Sequence, residues 1–363
     1  MFGDIFGQKK KGRVFVGLSG GVDSAVSAAL LQEQGYEVTG VFIHIAIDGY
    51  PCTAGVDRLD AMRVAAHLRV SFREIDLSEE YRKKVFLLSI KEFKKGRTPN
   101  PDALCNREIK FGLFFDYCIV QGADYVATGH YARVVRPDPA LPAVELHAGA
   151  DEDKDQSYFL WAVDERKLRK TLFPLGDIKK TEVRALAKKL RLPNAERKDS
   201  QGLCFLGPIS MSDMLRRELP LVPGDVLDES GAVMGRHEGA LAYTLGQRHG
   251  FYLSLQGTSQ EPHYVVAKDS EFNTITVSTK RTPNTSSTSI FLADTNWIGP
   301  LKEGPCMARY RYRQKLIPAE LRESPTSSTV TLLEPHYVPQ GQSLVLYRGS
   351  RCIGGGSVES VDN

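Results

Sequence analysis

The chain has 363 residues, 42% of them hydrophobic and 25% charged, with a net charge of +3. That is ordinary globular composition and leaves room for two or three domains. An apolar run of 18 residues is absent, which excludes a membrane-spanning helix, and the weak positive charge permits an RNA partner without demanding one.

The segment Met1–Arg13 carries Lys9, Lys10, Lys11 and Arg13 but lacks the apolar stretch and cleavage site of a secretory signal. It reads as a flexible basic tail, and a cytoplasmic location is expected. Cysteines stand at Cys52, Cys105, Cys118, Cys204, Cys306 and Cys352, with no CxxC pair. No protein-bound metal cluster is expected, and a cysteine with a role acts as a thiol or a transient disulfide.

In chain order, strand patterns at Arg13–Leu18, Tyr36–Ile45, Ser71–Leu77 and Tyr125–Thr128 alternate with helical patterns at Asp23–Gln34, Asp57–Leu68, Glu79–Lys95 and Glu108–Val120. Lys179–Leu190 is a further helix. This alternation predicts an α/β fold with a Rossmann-like parallel sheet over residues 1–207. The pattern changes near Gly207-Pro208. Strands are expected at Tyr264–Ala267, Thr274–Val277, Ala308–Arg313, Thr329–Leu333 and Ser343–Tyr347. They predict a small β-rich middle domain over 208–282 and a C-terminal β-barrel over 283–363, joined by a hinge at Thr282–Ser289.

The first strand runs into Gly17-Leu18-Ser19-Gly20-Gly21-Val22-Asp23-Ser24, where a helix starts. Glycines permit a sharp turn and close approach of backbone N–H groups to a phosphate, and the helix start adds partial positive charge. The bland alternative is a glycine turn with Asp23 or Ser24 as a simple cap. The whole string, however, resembles the pyrophosphate-binding loop of the ATP pyrophosphatase superfamily. GxxxxGK[ST] is absent, so it is not a P-loop.

A second dense signal is Gly96–Asn106, where two prolines stiffen a loop that presents Asp102 and Cys105. An ordinary thiol is only about 3% thiolate at pH 7. Arg97, Arg107 or Lys110, or the start of a helix near Asn106, would raise that fraction. Cys204 lies between Gly202 and Gly207, on a turn. Cys118, Cys306 and Cys352 read as buried apolar residues, whereas Cys105 and Cys204 lie in polar, Gly/Pro-shaped loops and do not.

The strings GLSGGVDS, GRTPNPDALCNREIKFG, ATGHYAR, KDQSYFL, KDSQGLCFLG, TLGQRHG and RYRQ occur in the order found in the bacterial tRNA-specific 2-thiouridylases. The resemblance runs from about residue 13 to residue 356. It implies a tRNA-uridine 2-sulfurtransferase that adenylates the C2 oxygen of the wobble uridine and replaces it with sulfur. Carried over, Gly17, Leu18, Ser19, Gly20, Gly21, Val22, Asp23, Ser24, Ile43 and Gly129 bind ATP, taken with Mg2+. Asn100, Pro101 and Asp102 meet the target base. Cys204 carries a persulfide from a donor protein such as a cysteine desulfurase or relay protein, and Cys105 releases the sulfur through a transient Cys105–Cys204 disulfide. Lys154, Asp155, Gln156, Arg311 and Tyr312 contact the anticodon stem-loop.

On a strand, Arg309, Arg311, Arg313 and Lys315 would form one cationic face opposite Tyr310 and Tyr312. The alternative there is a solvated barrel edge. His44–Tyr50 departs from the family pattern, which puts the contacts around Ile43 in question. Two rivals stand beside the family: another adenylating ligase of the same superfamily, and an inactive tRNA-binding homologue.

Overall fold

The computed structural model describes residues 11–51, 53–137, 143–199, 202, 204–207, 209, 211–254, 261–280, 287–300, 303–324 and 328–361. Most of the basic tail, and the hinge up to residue 286, lie outside the described residues.

The first part of the chain runs β1 (Arg13–Gly17), α1 (Val22–Glu33), β2 (Glu37–His44), α2 (Ala54–Leu68) and β3 (Ser71–Asp76). Then come α3 (residues 78–94, with a π turn at Arg82–Phe86) and α4 (residues 101–120, π-wound over Asn106–Phe114). β4 (Tyr125–Ala127), a hairpin of β5 (Ala132–Val135) and β6 (Glu145–Ala148), β7 (Thr171–Leu172) and α5 (Lys180–Lys189) complete it. Five strands form a parallel sheet in the order β3-β2-β1-β4-β7.

Period-two alternation along β1 explains why both faces are covered. Val14 and Val16 point to a core with Val26 of α1, Ala61 of α2 and Val183 of α5. Phe15 points to the opposite core with Phe86 and Phe93 of α3 and Ile109 and Phe114 of α4. The strand order reverses between β1 and β4, and a crevice at that switch point is where such sheets bind ligands.

After α6 (Met211–Glu218), a second sheet contains β8 (Gly224–Leu227), β9 (Val233–His237), β10 (Phe251–Leu253), β11 (Tyr264–Asp269) and β12 (Thr274–Ser278). Its order is β10-β9-β8-β12-β11. The last part holds β13 (Ser287–Trp297), β14 (Gly304–Arg309), β15 (Ile317–Glu323), β16 (Ser328–His336), β17 (Ser343–Arg348) and β18 (Arg351–Val361). These six strands close into a barrel through the β13–β18 pairing.

Two features differ from the sequence expectation. The β5–β6 hairpin belongs to the barrel's sheet: Arg351 and Cys352 of β18 pair with His147 and Leu146 of β6. The strand expected at Ala308–Arg313 instead ends at Arg309. There the Gln314 side-chain oxygen accepts the N–H groups of Tyr310 (3.0 Å) and Arg311 (3.1 Å) and bends the chain. The proposed two-faced strip of cations and tyrosines therefore does not form. Arg309 and Tyr310 are buried, while Arg311, Arg313 and Lys315 are exposed on the turn and beyond it.

Candidate active site

β1 delivers Gly17–Ser24 to the switch-point crevice, and α1 starts one residue after Gly21. Gly20 has φ +76°, and a Cβ there would lie 2.5 Å from the Asp57 carbonyl oxygen. Its own carbonyl accepts from Asn194 at 2.7 Å and from Arg197 at 3.3 Å. The serine hydroxyls brace the turn: Ser24 donates to the Gly21 carbonyl at 3.1 Å, and Ser19 accepts from the Gly21 N–H at 3.3 Å. Gly129, just past β4, packs so closely that a Cβ would fall 2.9 Å from the Ser24 nitrogen. A Gly20→Ala protein is thus expected to keep its fold but bind ATP about tenfold or more weakly by titration calorimetry, a loss of about 1.4 kcal/mol. Unchanged affinity would show that the loop does not cradle the nucleotide.

Charge gathers beside this loop. Lys180 of α5 bridges Asp23 at 2.7 Å and Asp199 at 2.9 Å, and Tyr131 donates to Asp23 at 2.8 Å. Lys154 reaches Asp199 at 3.1 Å, and Arg184 pairs with the same carboxylate. Burial pushes the Asp199 carboxyl up, but Lys180 and Lys154 outweigh it and bring it down to about 2. Ile43 and Leu18 are buried, Ile43 near the end of β2, while His44 stands 4.0 Å from Asp76. In the departing segment, Tyr50 donates to Glu218 of α6 at 2.9 Å, tying that loop to the middle part of the chain.

The second constellation is built on α4. Its N-cap is Asn100, whose side-chain oxygen accepts the Ala103 N–H at 3.1 Å, and Pro101 occupies the first turn. The helix thus begins earlier than the sequence expectation near Asn106. Asp102 takes its first turn, and Cys105 lies beyond the reach of the helix-end charge. Cys105 is fully buried in the core of that face, not in an open polar loop, because the helix turns it inward against Ile109 and Phe114.

Cys204 comes to meet Cys105. Both thiols are free, and Cys204 packs against the core that holds Cys105. Tyr81 of α3 anchors the Cys204 segment by donating to its carbonyl at 2.8 Å, and its ring meets Phe205 edge-on at 5.9 Å. The Lys110 ammonium stands 3.8 Å from the Cys204 sulfur. Arg97 and Arg107 are engaged elsewhere, with Glu92 at 3.4 Å and Glu108 at 2.9 Å. Donation from the Cys204 thiol toward Cys105, then burial, then the Asp102 carboxylate push the Cys204 thiol well up, and Lys110 opposes them.

The residues assigned to tRNA by resemblance divide. Arg311 is exposed and donates to the Leu245 carbonyl at 3.0 Å. Tyr312 is half-buried, its ring 4.8 Å from that of Phe159. Asp155 is only 5% exposed. Its carboxylate accepts from the backbone of Gly149 (3.1 Å) and Ser157 (3.0 Å) and pairs with buried Arg309 of β14. Gln156 accepts the Tyr131 N–H at 3.0 Å. Sequence reasoning missed Tyr81, Lys180, Asn194 and Arg197, which carry no local motif. It named Lys110 without separating it from its neighbours.

A parallel sheet with a glycine-rich loop at its switch point, a pair of neighbouring thiols and two appended β units define a three-part α/β class of protein. Three family models match in succession. Residues 12–208 fit the tRNA methyl transferase HUP domain, 212–279 the tRNA methyl transferase PRC-barrel domain, and 287–358 the aminomethyltransferase β-barrel domain. The tRNA-specific 2-thiouridylase MnmA of Enterococcus faecalis is 42% identical over 363 residues, which covers 96% of each chain. Those of Pseudomonas fluorescens strain Pf-5 (43%, 97% of this chain and 95% of that one) and Bacillus subtilis (41%, 96% and 95%) are similar. The chain belongs to the tRNA-specific 2-thiouridylase family.

Proposed function

We propose that this protein uses ATP to convert the wobble uridine of tRNA to 2-thiouridine, releasing AMP and pyrophosphate. The observation that carries the reading is the meeting of two free thiols, Cys105 and Cys204, with the Lys110 ammonium 3.8 Å from the Cys204 sulfur. The domain descriptions speak of methyl transfer, whereas the full-length relatives are named for thiolation. A pair of free thiols in contact suits sulfur transfer, in which one thiolate frees sulfur from the other by exchange.

The chemistry follows from the groups present. The backbone N–H groups of Gly17–Ser24 hold the phosphates, with Ile43 and Gly129 along the nucleotide's path. Magnesium bound with ATP would neutralise phosphate charge. The C2 oxygen of the uridine attacks the α-phosphorus and pyrophosphate leaves. Cys204, carrying a persulfide from a donor protein, attacks C2 through its outer sulfur, and AMP departs with the oxygen. The Cys105 thiolate then attacks the Cys204 sulfur. The S–S bond breaks, its electron pair goes to the sulfur on C2, and a Cys105–Cys204 disulfide remains for an external dithiol to reduce. Asn100 and Pro101 border the base. Lys154, Gln156, Arg311 and Tyr312 line the anticodon stem-loop's approach, with Asp155 fixing that segment from inside.

Asp102 handles the proton at the base. An Asp102→Asn protein is expected to lose about 10²–10⁴ in turnover with ATP affinity unchanged. Full turnover would remove Asp102 from the mechanism. The whole reading is tested by incubating the protein with ATP, magnesium, a persulfide donor and unmodified tRNA, then digesting the tRNA. Mass spectrometry should find 2-thiouridine. AMP without 2-thiouridine would instead favour another adenylating activity.

A further inference from the structure

Each exchange step at Cys204 needs a sulfur anion in a place unkind to anions. The half-buried Cys204 packs against the core that holds Cys105, within the influence of the Asp102 carboxylate. Its counter-charge is Lys110, whose hydrogen-bond partner among the described residues is the Cys204 sulfur at 3.8 Å. The helix winding explains the arrangement. Over Asn106–Phe114, α4 bonds i to i+5, so residues five apart stack on one side. Cys105 and Lys110 are five apart, and Cys204 meets both. The Phe205 ring, 5.8 Å from the ammonium, closes over the group.

We infer that Lys110 is a positioning residue that pairs with the Cys204 sulfur and stabilises its anion against burial and the Asp102 carboxylate, so that the thiolate can form when a persulfide is delivered. In that loading step the Cys204 thiolate attacks the outer sulfur of the donor's persulfide, and the donor's thiolate leaves with the electrons of the broken S–S bond. The inference rests on the reading of Cys204 as the sulfur carrier. The groups facing the site are Asp102 and Cys105 from α4, Tyr81 from α3 and His130 after β4. Burial holds Tyr81 protonated, and burial followed by the Lys110 charge holds His130 neutral. Lys110 is therefore the positive charge among them, and the titration of Cys204 reports it.

The test is the pH profile of Cys204 alkylation by iodoacetamide in the intact protein, read by peptide mass spectrometry without tRNA, ATP or donor. In Lys110→Met, alkylation near neutral pH should fall about tenfold, with the midpoint about one unit higher. Lys110→Arg should restore most of the rate. Buried Cys118, pushed up to about 12 chiefly by burial, should stay unlabelled throughout and so reports an intact fold. If the methionine variant exposes Cys118, Lys110→Gln, which keeps a polar side chain without the charge, gives the same reading. An unmoved midpoint, or an arginine variant as slow as methionine, would overturn the inference. A Cys204→Ser protein that still thiolates tRNA would overturn the carrier role instead and leave the measured charge pairing standing.

Discussion

A Cys204→Ser protein should form no detectable 2-thiouridine, a loss of about 10³-fold or more, while still releasing pyrophosphate in the presence of tRNA. The hydroxyl cannot carry a persulfide, but Gly17–Ser24 and its braces from Asn194 and Arg197 do not depend on the thiol. Cys105→Ser should fail differently. Sulfur reaches C2, but the thiol that lies against Cys204 in the wild type is missing. A tRNA–protein adduct linked through C2–S–S–Cys204 should accumulate and dissolve on adding a thiol reductant. Gel mobility under non-reducing and reducing conditions separates the two variants. Equal 2-thiouridine yields from both and from the wild type would remove the thiols from the mechanism.

Arg309→Met should cost about 3–5 kcal/mol of stability, because it leaves the Asp155 carboxylate buried without its cation. Arg309 is 8% and Asp155 5% exposed, and the pair joins β14 of the barrel to the segment after β6. The Tyr347 ring lies under the guanidinium at 4.7 Å, and its hydroxyl accepts from Arg309 Nε at 3.2 Å and stands 3.1 Å from the Ser157 hydroxyl. Replacing both charges, with Asp155→Asn added to Arg309→Met, should be less harmful than the sum of the single changes, since no charge is then stranded. Urea unfolding of the four proteins measures this. Strict additivity would mean that the pair is not coupled.

How legible the site was in the sequence depended on whether its chemistry was contiguous. The glycine-rich loop Gly17–Ser24 is one string after one strand, and the structure places it at the end of β1 as expected. Cys105 and Cys204 stood out by their glycine and proline neighbours, although Cys105 proved to be a helical core residue. The choice among Arg97, Arg107 and Lys110 was not available, because it is made by the π winding of α4 and by Glu92 and Glu108. Lys180 meets Asp23 across 157 residues, and Arg309 meets Asp155 across 154. No local pattern encodes such pairs. The β5 and β6 strands have four residues each and join a strand some two hundred residues later in the barrel's sheet. Short strands with distant partners leave almost no periodic trace. Arg309 read as a surface cation because strand alternation ignores where the strand stops.

The central claim is that sulfur passes through Cys204 and is released by Cys105. It is tested most directly in a single turnover of protein preloaded with isotopically heavy persulfide, with ATP, magnesium and unmodified tRNA but no reductant. The tRNA digest and a non-reducing peptide map are read from the same sample. The account predicts heavy 2-thiouridine together with an equal amount of Cys105–Cys204 disulfide. Heavy 2-thiouridine with both thiols still free, or heavy label that stays on the protein while AMP is released, would contradict it.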